Sequence, residues 1–327
     1  MSTALNRAKR MIASPVGRVL LALALMLVLG LVFNADGTFL RWTTHRDILR
    51  QVSVYGILAC GMTIVIVTGG IDLSVSSVLA AAAVGFSLLT IHSGWNAAGA
   101  IALVMAGGAA AGAMSGVLVG RLKVPSFIVT LAAMVFLRGF AKHLSGGQKV
   151  STYVQETGDV VPLPAIFEQI DAHILADIVP IVTLVFLACI LATAFVLRQL
   201  RLGRYLYATG GNDEAARLSG VPVPRVLIMA YALSGLFAAI AGICQAAQER
   251  QGDPETGTGY ELQAIAMVVI GGTDLAGGRG GIALTLVGVL TIGYLQKILS
   301  INAVGEASRL MLTGAIIVCA VLLQRRK

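Results

Sequence analysis

Ten apolar stretches, most about twenty residues long, recur along this chain and leave it few ways to fold. They lie at 17–34, 51–69, 73–91, 96–120, 124–141, 178–197, 225–246, 261–273, 282–299 and 306–323. In lipid every backbone N–H and C=O must find a partner inside the protein, so stretches of this length fold as helices rather than as open strands. The expected fold class is all-α: a polytopic membrane protein of about ten transmembrane helices, forming one domain over 1–327 that includes a polar loop at 198–224. Composition agrees. Charged residues make up 12% of the chain and hydrophobic ones 57%, against about 25% charged in soluble domains. The stretch at 261–273 is short, and the one at 73–91 follows its predecessor closely, so these two are the least sharply bounded.

The net charge of +8 has two readings, a nucleic-acid face or a topology signal. The basic residues sit between apolar runs rather than along one face, which fits the bias of cytoplasmic loops toward Lys and Arg and excludes nucleic acid as a partner. Ten spans place both termini on one side. That side carries Arg7, Lys9, Arg10, Arg18, Arg121, Lys123, Arg198, Arg201, Arg204, Arg217, Arg225, Arg279, Arg325, Arg326 and Lys327, 15 of the 24 basic residues. It is assigned to the cytoplasm. The first apolar run follows Arg7, Lys9 and Arg10 as in a signal peptide, but without a small-residue cleavage site it reads as a retained helix.

Chemistry-bearing constellations are absent from the pattern. Cys60, Cys189, Cys244 and Cys319 all fall in apolar runs and read as buried, reduced packing residues. His45, His92, His143 and His173 are scattered through predicted outer loops without metal-ligand spacing. The glycine-rich "GGTDLAGGRGG" at 271–281 lacks the Lys-Ser/Thr pair of a phosphate loop and reads as a tight turn. No catalytic residue and no metal site are expected. Gly108, Gly112, Gly116 and Gly120 form a stripe that suits close helix packing, with a pore-lining groove as the alternative.

The polar stretch "ATGGNDEAARLSGVP" (208–222) predicts a short helix outside the membrane. Asn212 is a good N-cap, Asp213 and Glu214 suit the positive end of the helix dipole, and Arg217 suits its negative end. Gly220 fits the position just past the C-cap, and Pro222 and Pro224 stop the helix. Ala215 and Ala216, with Leu218 beside them, leave a surface that fits a groove on another protein; a solvated loop helix is the alternative.

The segment "GRYLYATGGNDEAARLSGV" (203–221) resembles the cytoplasmic loop of the permease subunits of bacterial sugar ABC importers of the ribose, xylose and galactose type. "GMTIVIVTGGIDLSVSSVLA" (61–80) and "GDPETGTGYELQAIAMVVIGGTDLAGGRGG" (252–281) resemble the same family, in the same order. The resemblance implies that the loop helix docks on a separate ATPase and transmits its motion through Asn212, Asp213, Glu214, Ala215, Ala216, Leu218 and Gly220. It implies no cofactor on this chain, ATP and magnesium being bound by the partner subunit. It further implies a second permease copy or a paralogue, cytoplasmic ATP-binding subunits and a periplasmic binding protein that delivers a small neutral sugar across the bacterial inner membrane. A nucleoside or autoinducer-2 is the alternative solute, and an ion-coupled secondary transporter the alternative class.

Inside the membrane, Asp72 is the carboxylate that needs a reason. Two readings stand: it caps the helix that follows it, or it takes part in gating or the substrate path. Thr63, Thr68, Ser74, Ser126 and Thr130, with Ser76 and Ser77, either line such a path or bond their own helices. Gly-Gly-x-Asp-Leu occurs at 69–73 and again at 271–275, a short echo that could mark an internal repeat. Gln263 and Asp274 stand where the family usually has Asp and Ser, which puts a direct transfer of substrate contacts in doubt. Arg41, Arg46, Arg50 and Arg250 fall outside, against the usual bias. They are expected either to dock an acidic face of the binding protein or to reach lipid phosphates.

Overall fold

Helix α2, Trp42–Val67, is apolar on every side over its last two-thirds, and such a helix has to be surrounded. In the computed structural model, which describes residues 15–154, 158–175 and 177–324, every residue from Val52 to Val67 is buried. Around α2 stand α7 (Ile181–Gln199), α10 (Val223–Glu249), α11 (Tyr260–Ile270) and α12 (Ile282–Ile301), while α3 (Val75–Ser87, extended by a π-helical turn Leu88–His92) packs on α10. Three helices complete the outer layer: α1 (Pro15–Val32) on α12, α4 (Ala97–Gly120) on α10, and α5 (Ser126–Leu144) on α3. The last helix, α13 (Glu306–Gln324), lies against α11. Arg7, Lys9, Arg10, Arg325, Arg326 and Lys327, which entered the charge count, lie outside the described residues.

The chain is an all-α polytopic membrane protein, with an apolar helix at each of the ten expected stretches. Among the described residues, the regular sheet consists of two antiparallel hairpins at one end of the bundle, Tyr153–Val154 with Asp159–Val160 and His173–Ile174 with Val179–Pro180. The short helix α6 (Ala165–Asp171) lies between them. At the other end, α8 (Arg201–Gly211) and α9 (Asp213–Leu218) connect α7 to α10.

Two elements differ from expectation, and a third, short as its apolar run indicated, shows how its crossing is completed. Helix α2 begins nine residues earlier than the apolar run, because its polar first turns project past the bundle and pair with α6, α12 and the second hairpin. Helix α11 has only 11 residues, about 16 Å of rise against an apolar thickness near 30 Å. The rest of that crossing is irregular chain: Gly252 lies against Val84 and Ser87, and Gly257 against Ser76 and Leu79, so the segment 252–259 runs down the flank of α3 before the helix begins. Helix α8 is an addition where only polar loop was expected. Its inward positions Gly203, Leu206 and Thr209 recur every three residues, a helical period hidden by three glycines in eleven residues.

The glycine stripe packs helices. A Cβ on Gly108 would lie 2.5 Å from that of Ala239, and one on Gly116 would lie 2.6 Å from Ile228 Cα. On Gly112 it would meet the Tyr231 carbonyl, and on Gly120 it would lie 2.9 Å from the Pro224 carbonyl. Helix α10 answers with Gly235, whose own Cβ would strike the Gly108 carbonyl. In lipid, where burial gives no drive to helix association, such close approach supplies dispersion contact instead. Cys60, Cys189 and Cys244 are buried free thiols, as expected; the Cys319 side chain lies outside the described residues.

Candidate functional site

Between α2 and α3 the helical ladder is broken from Thr68 to Ser74, well inside the bundle. Its depth follows from its neighbours. Asp72 lies beside Ser234, eleven residues into α10, about 16 Å along that helix. Broken backbone at such depth survives only if protein groups replace the lost hydrogen bonds. Asp72 supplies two at once, its Oδ1 accepting from Ser74 N–H at 3.0 Å and from Ser74 Oγ at 2.6 Å. Its Oδ2 accepts from Ser234 Oγ at 2.7 Å. Helix α5 adds Ser126, whose Oγ accepts from Ile71 N–H at 3.4 Å, and Thr130, whose Oγ1 donates to Ile71 O at 3.2 Å. Tyr231 on α10 donates to the same carbonyl at 3.5 Å.

The structure thus brings Asp72, Ser74, Ser126 and Thr130 into one cluster and leaves Thr63 and Thr68 apart from it. Thr68 Oγ1 bonds back to Val65 O at 2.7 Å, and Thr63 Oγ1 to Ala59 O at 2.7 Å with Thr285 at 2.9 Å. Asp72 turns the chain into α3 by the bond to the second N–H ahead, while the residue in the N-cap position is Ser74. The carboxylate also ties α3 to α10, through Ser234, which carries no mark in its apolar surroundings.

The second Gly-Gly-x-Asp-Leu copy shares the local turn but not the register. Asp274 Oδ1 accepts from Ala276 N–H at 3.0 Å, as Asp72 does from Ser74. Yet the left-handed residue is Gly69, the first glycine of its copy, and Gly272, the second glycine of the other. Both end their helices in the same way, with Gly70 N–H bonded to Val65 O and Thr273 N–H to Val268 O. Gln263 and Asp274, the two departures from the family pattern, are locally satisfied. Gln263 accepts from Gln296 Nε2 at 3.1 Å.

At the α8–α9 end, the short helix is capped as its sequence demands. Asn212 Oδ1 accepts from Ala215 N–H at 2.8 Å. Val221 N–H bonds to Ala216 O and Gly220 N–H to Arg217 O, with Gly220 at φ +84°: the double closure that a left-handed glycine permits. Asp213, Glu214, Ala215 and Leu218 face outward, Leu218 at 81% exposure, whereas Ala216 turns inward and is buried. The outward surface is therefore Ala215 and Leu218 with the two carboxylates, not the Ala215–Ala216 pair.

Helix α9 stands on α8, and α8 is bolted to the bundle. A side chain on Gly210 would collide with the Val67 carbonyl and lie 2.6 Å from Gly278 N, so α8 touches both the end of α2 and the glycine-rich turn. Gly278 N–H donates to Val67 O at 2.9 Å, and Tyr207 Oη to Gly280 O at 2.9 Å. The turn 271–281 is the tight turn expected, with Gly272, Gly277, Gly278 and Gly280 at positive φ.

At the opposite end most of the outer cations have partners within the chain. Arg46 pairs with the Asp177 carboxylate, and Arg50 donates to Asp171 Oδ1 from Nε at 2.7 Å. Arg41 and Arg250 are exposed. Arg138 was missed, although a cation within an apolar run is a signal in itself. Its guanidinium donates to Pro254 O at 2.7 Å and Thr256 O at 2.8 Å, satisfying carbonyls of the irregular 252–259 segment. Lys142 with Glu255 at 2.5 Å and Lys149 with Asp253 at 3.1 Å hold the same segment. Among the described residues no cluster of His, Cys, Asp and Glu could hold a metal.

A family model described as the permease component of the branched-chain amino acid transport system matches residues 45–321. The chain belongs to this permease family. Among its relatives, the ribose import permease protein of Escherichia coli K12 is 40% identical over 93% of this chain and 92% of its own length. That of Bacillus subtilis is 39% identical over 93% and 92%. The L-arabinose transport system permease protein of Escherichia coli K12 is 33% identical over 95% and 92%. No solved structure matches the chain. For a member of this permease family, the buried break and the α8–α9 face become the parts to explain: one lies within the membrane bundle, the other stands proud of it.

Proposed function

We propose that the chain is the transmembrane subunit of an ATP-binding cassette importer that passes a small neutral sugar inward by alternating access. The observation that carries this reading is the 40% identity to a ribose import permease over 93% of the chain. The arabinose relative supports the same solute class. The α8–α9 end is then cytoplasmic, as the basic loops at 198–225 argue, and both termini lie on that side. The permease works beside a second copy or a paralogue. Separate subunits bind ATP and magnesium, and a periplasmic binding protein delivers the sugar.

The contacts at the α8–α9 end support a route for the stroke. Leu218 and the Asp213–Glu214 turn dock on the ATPase, and movement of α9 carries α8 with it. Through Gly210 and Tyr207, α8 bears on the end of α2 and on the turn that leads into α12. The end of α2 is also where the buried break begins, so a shift there is felt at Asp72, α3 and α5. Close glycine contacts transmit such a push because no side chain lies between the backbones to absorb it.

Reconstitution in proteoliposomes with the ATPase subunit and a ribose-loaded binding protein tests the reading. Uptake of labelled pentose that requires ATP and both partners is expected. Uptake driven by an ion gradient without the ATPase would overturn it.

A further inference from the structure

At the outer end of the bundle, a cavity of about 300 Å³ opens between α2, α10 and the first turn of α11. Helix α2 lines it with Asp47, Arg50, Gln51 and Tyr55, helix α10 with Gln245 and Gln248, and α11 with Tyr260. None of these was singled out by the sequence except Arg50, and that for a different role.

The lining has three properties that select a ligand. Its charges are already spent: Arg50 pairs with Asp171 at 2.6 Å, and Asp47 with Lys297 at 3.4 Å. An ionic ligand would have to break one of those pairs, whereas a neutral one leaves both intact. Three glutamines face the space; Gln245 Nε2 donates to Glu249 Oε1 and Gln248 Nε2 to Arg50 O, while the exposed Gln51 amide offers donors and an acceptor together. Vicinal hydroxyl groups, each a donor and an acceptor, match that offer better than a carboxylate or an amine does. Finally, the rings of Tyr55 and Tyr260 stand 4.4 Å apart, inclined at 50°, and give an amphipathic wall for the C–H face of a small ring. The volume lies at the lower end of the range of about 300–1,000 Å³ for ligand sites, which favours a monosaccharide over a larger glycoside.

We propose that this cavity is the first resting place of a neutral, pentose-sized monosaccharide on the permease, between release at the outer face and passage inward. The inference rests on the sugar-importer reading given above. Tyr260 makes the site conditional on conformation. It is the first residue of α11 and follows the irregular 252–259 segment held by Arg138, Lys142 and Lys149, so a shift of that segment moves one wall of the cavity.

The test uses the assembled transporter, with ATPase and binding protein, in proteoliposomes. Gln51 is exposed on α2, so Gln51→Cys is expected to fold, and its uptake after labelling is compared with its own uptake before labelling, whatever the substitution itself does to the rate. A small membrane-impermeant thiol reagent is expected to block uptake of labelled D-ribose in that variant and not in the parent protein, whose described cysteines are buried. Tyr260→Ala is expected to lower the uptake rate about tenfold while binding-protein-stimulated ATP hydrolysis stays within about twofold. Full uptake after labelling of Gln51→Cys, together with full uptake by Tyr260→Ala, would overturn the site while leaving the importer reading in place. Failure of the parent protein to take up any of D-ribose, L-arabinose or D-xylose would overturn the sugar reading itself.

Discussion

Asp72 and Ser234, 162 positions apart in sequence, meet in the interior of the bundle, where the serine hydroxyl donates to Oδ2 at 2.7 Å. With the two bonds from Ser74, the carboxylate accepts three hydrogen bonds and is fully buried. It turns the chain into α3 and fastens α3 to α10 in the same act.

Substitution at this position separates shape from charge. Asp72→Asn keeps an oxygen for Ser74 N–H and presents an amide to Ser234 Oγ, which can accept, so the fold is expected to survive. Asp72→Ala strands Ser74 N–H and the Ser234 hydroxyl, at a cost of about 2–4 kcal/mol. Thermal unfolding in detergent should rank parent, Asn and Ala variants in that order. Uptake by the folded Asn variant then tells whether the charge acts in gating: full uptake limits Asp72 to the turn.

The α4–α10 seam makes a prediction with an internal control. Gly112→Val drives a side chain into the Tyr231 carbonyl, whereas a Cβ at Gly107, five residues earlier on the same helix, meets nothing within 4 Å. The first substitution should destabilise the protein by about 1–3 kcal/mol, the range for overpacking. Gly107→Ala should leave the unfolding temperature unchanged. Equal behaviour of the two variants would argue that α4 does not seat on α10 in the membrane.

At the α8–α9 end, Glu214→Lys should abolish ATP-driven uptake while membrane insertion and unfolding temperature stay near the parent. Glu214 is exposed and its ion pair with Arg217 is 3.9 Å long; such pairs contribute about 0–1 kcal/mol to stability. Loss of function with retained stability would therefore report on docking. Leu218→Asp should act in the same way, by placing charge where an apolar side chain stands 81% exposed. Undiminished uptake in both variants would remove α9 from the coupling route.

The outer arginines divide by their partners. Arg46→Glu sets two carboxylates against each other at Asp177 and should loosen the second hairpin, seen as faster proteolysis of the 172–180 segment. Arg250, exposed at the end of α10, is the better candidate for binding-protein docking. Arg250→Glu should weaken stimulation of ATP hydrolysis by the binding protein while basal hydrolysis persists, and high salt should imitate it. Stimulation indifferent to both would make Arg250 a lipid anchor.

Much of this protein is a local matter and could be read from contiguous residues. The apolar runs located ten helices because lipid leaves the backbone no other way to satisfy itself. Asn212 and Gly220 bounded α9 because caps are made between residues a few positions apart. The spacing of Gly108 to Gly120 announced a close-packed seam, though not that Gly235 would answer it. What only the tertiary structure decided is who meets whom. Ser234 and Arg138 carry no local pattern that names Asp72 or the 254 and 256 carbonyls as their partners. The shortness of α11 was legible in its 13-residue apolar run, but not that the polar segment 252–259 before it is sheltered along α3. Arg46 and Arg50 read as free cations because their carboxylates lie more than a hundred residues away, brought close only when α2 extends past the bundle. Hydropathy and capping are sums over neighbours in the chain, and a buried polar pair is a property of two surfaces that become neighbours only on folding.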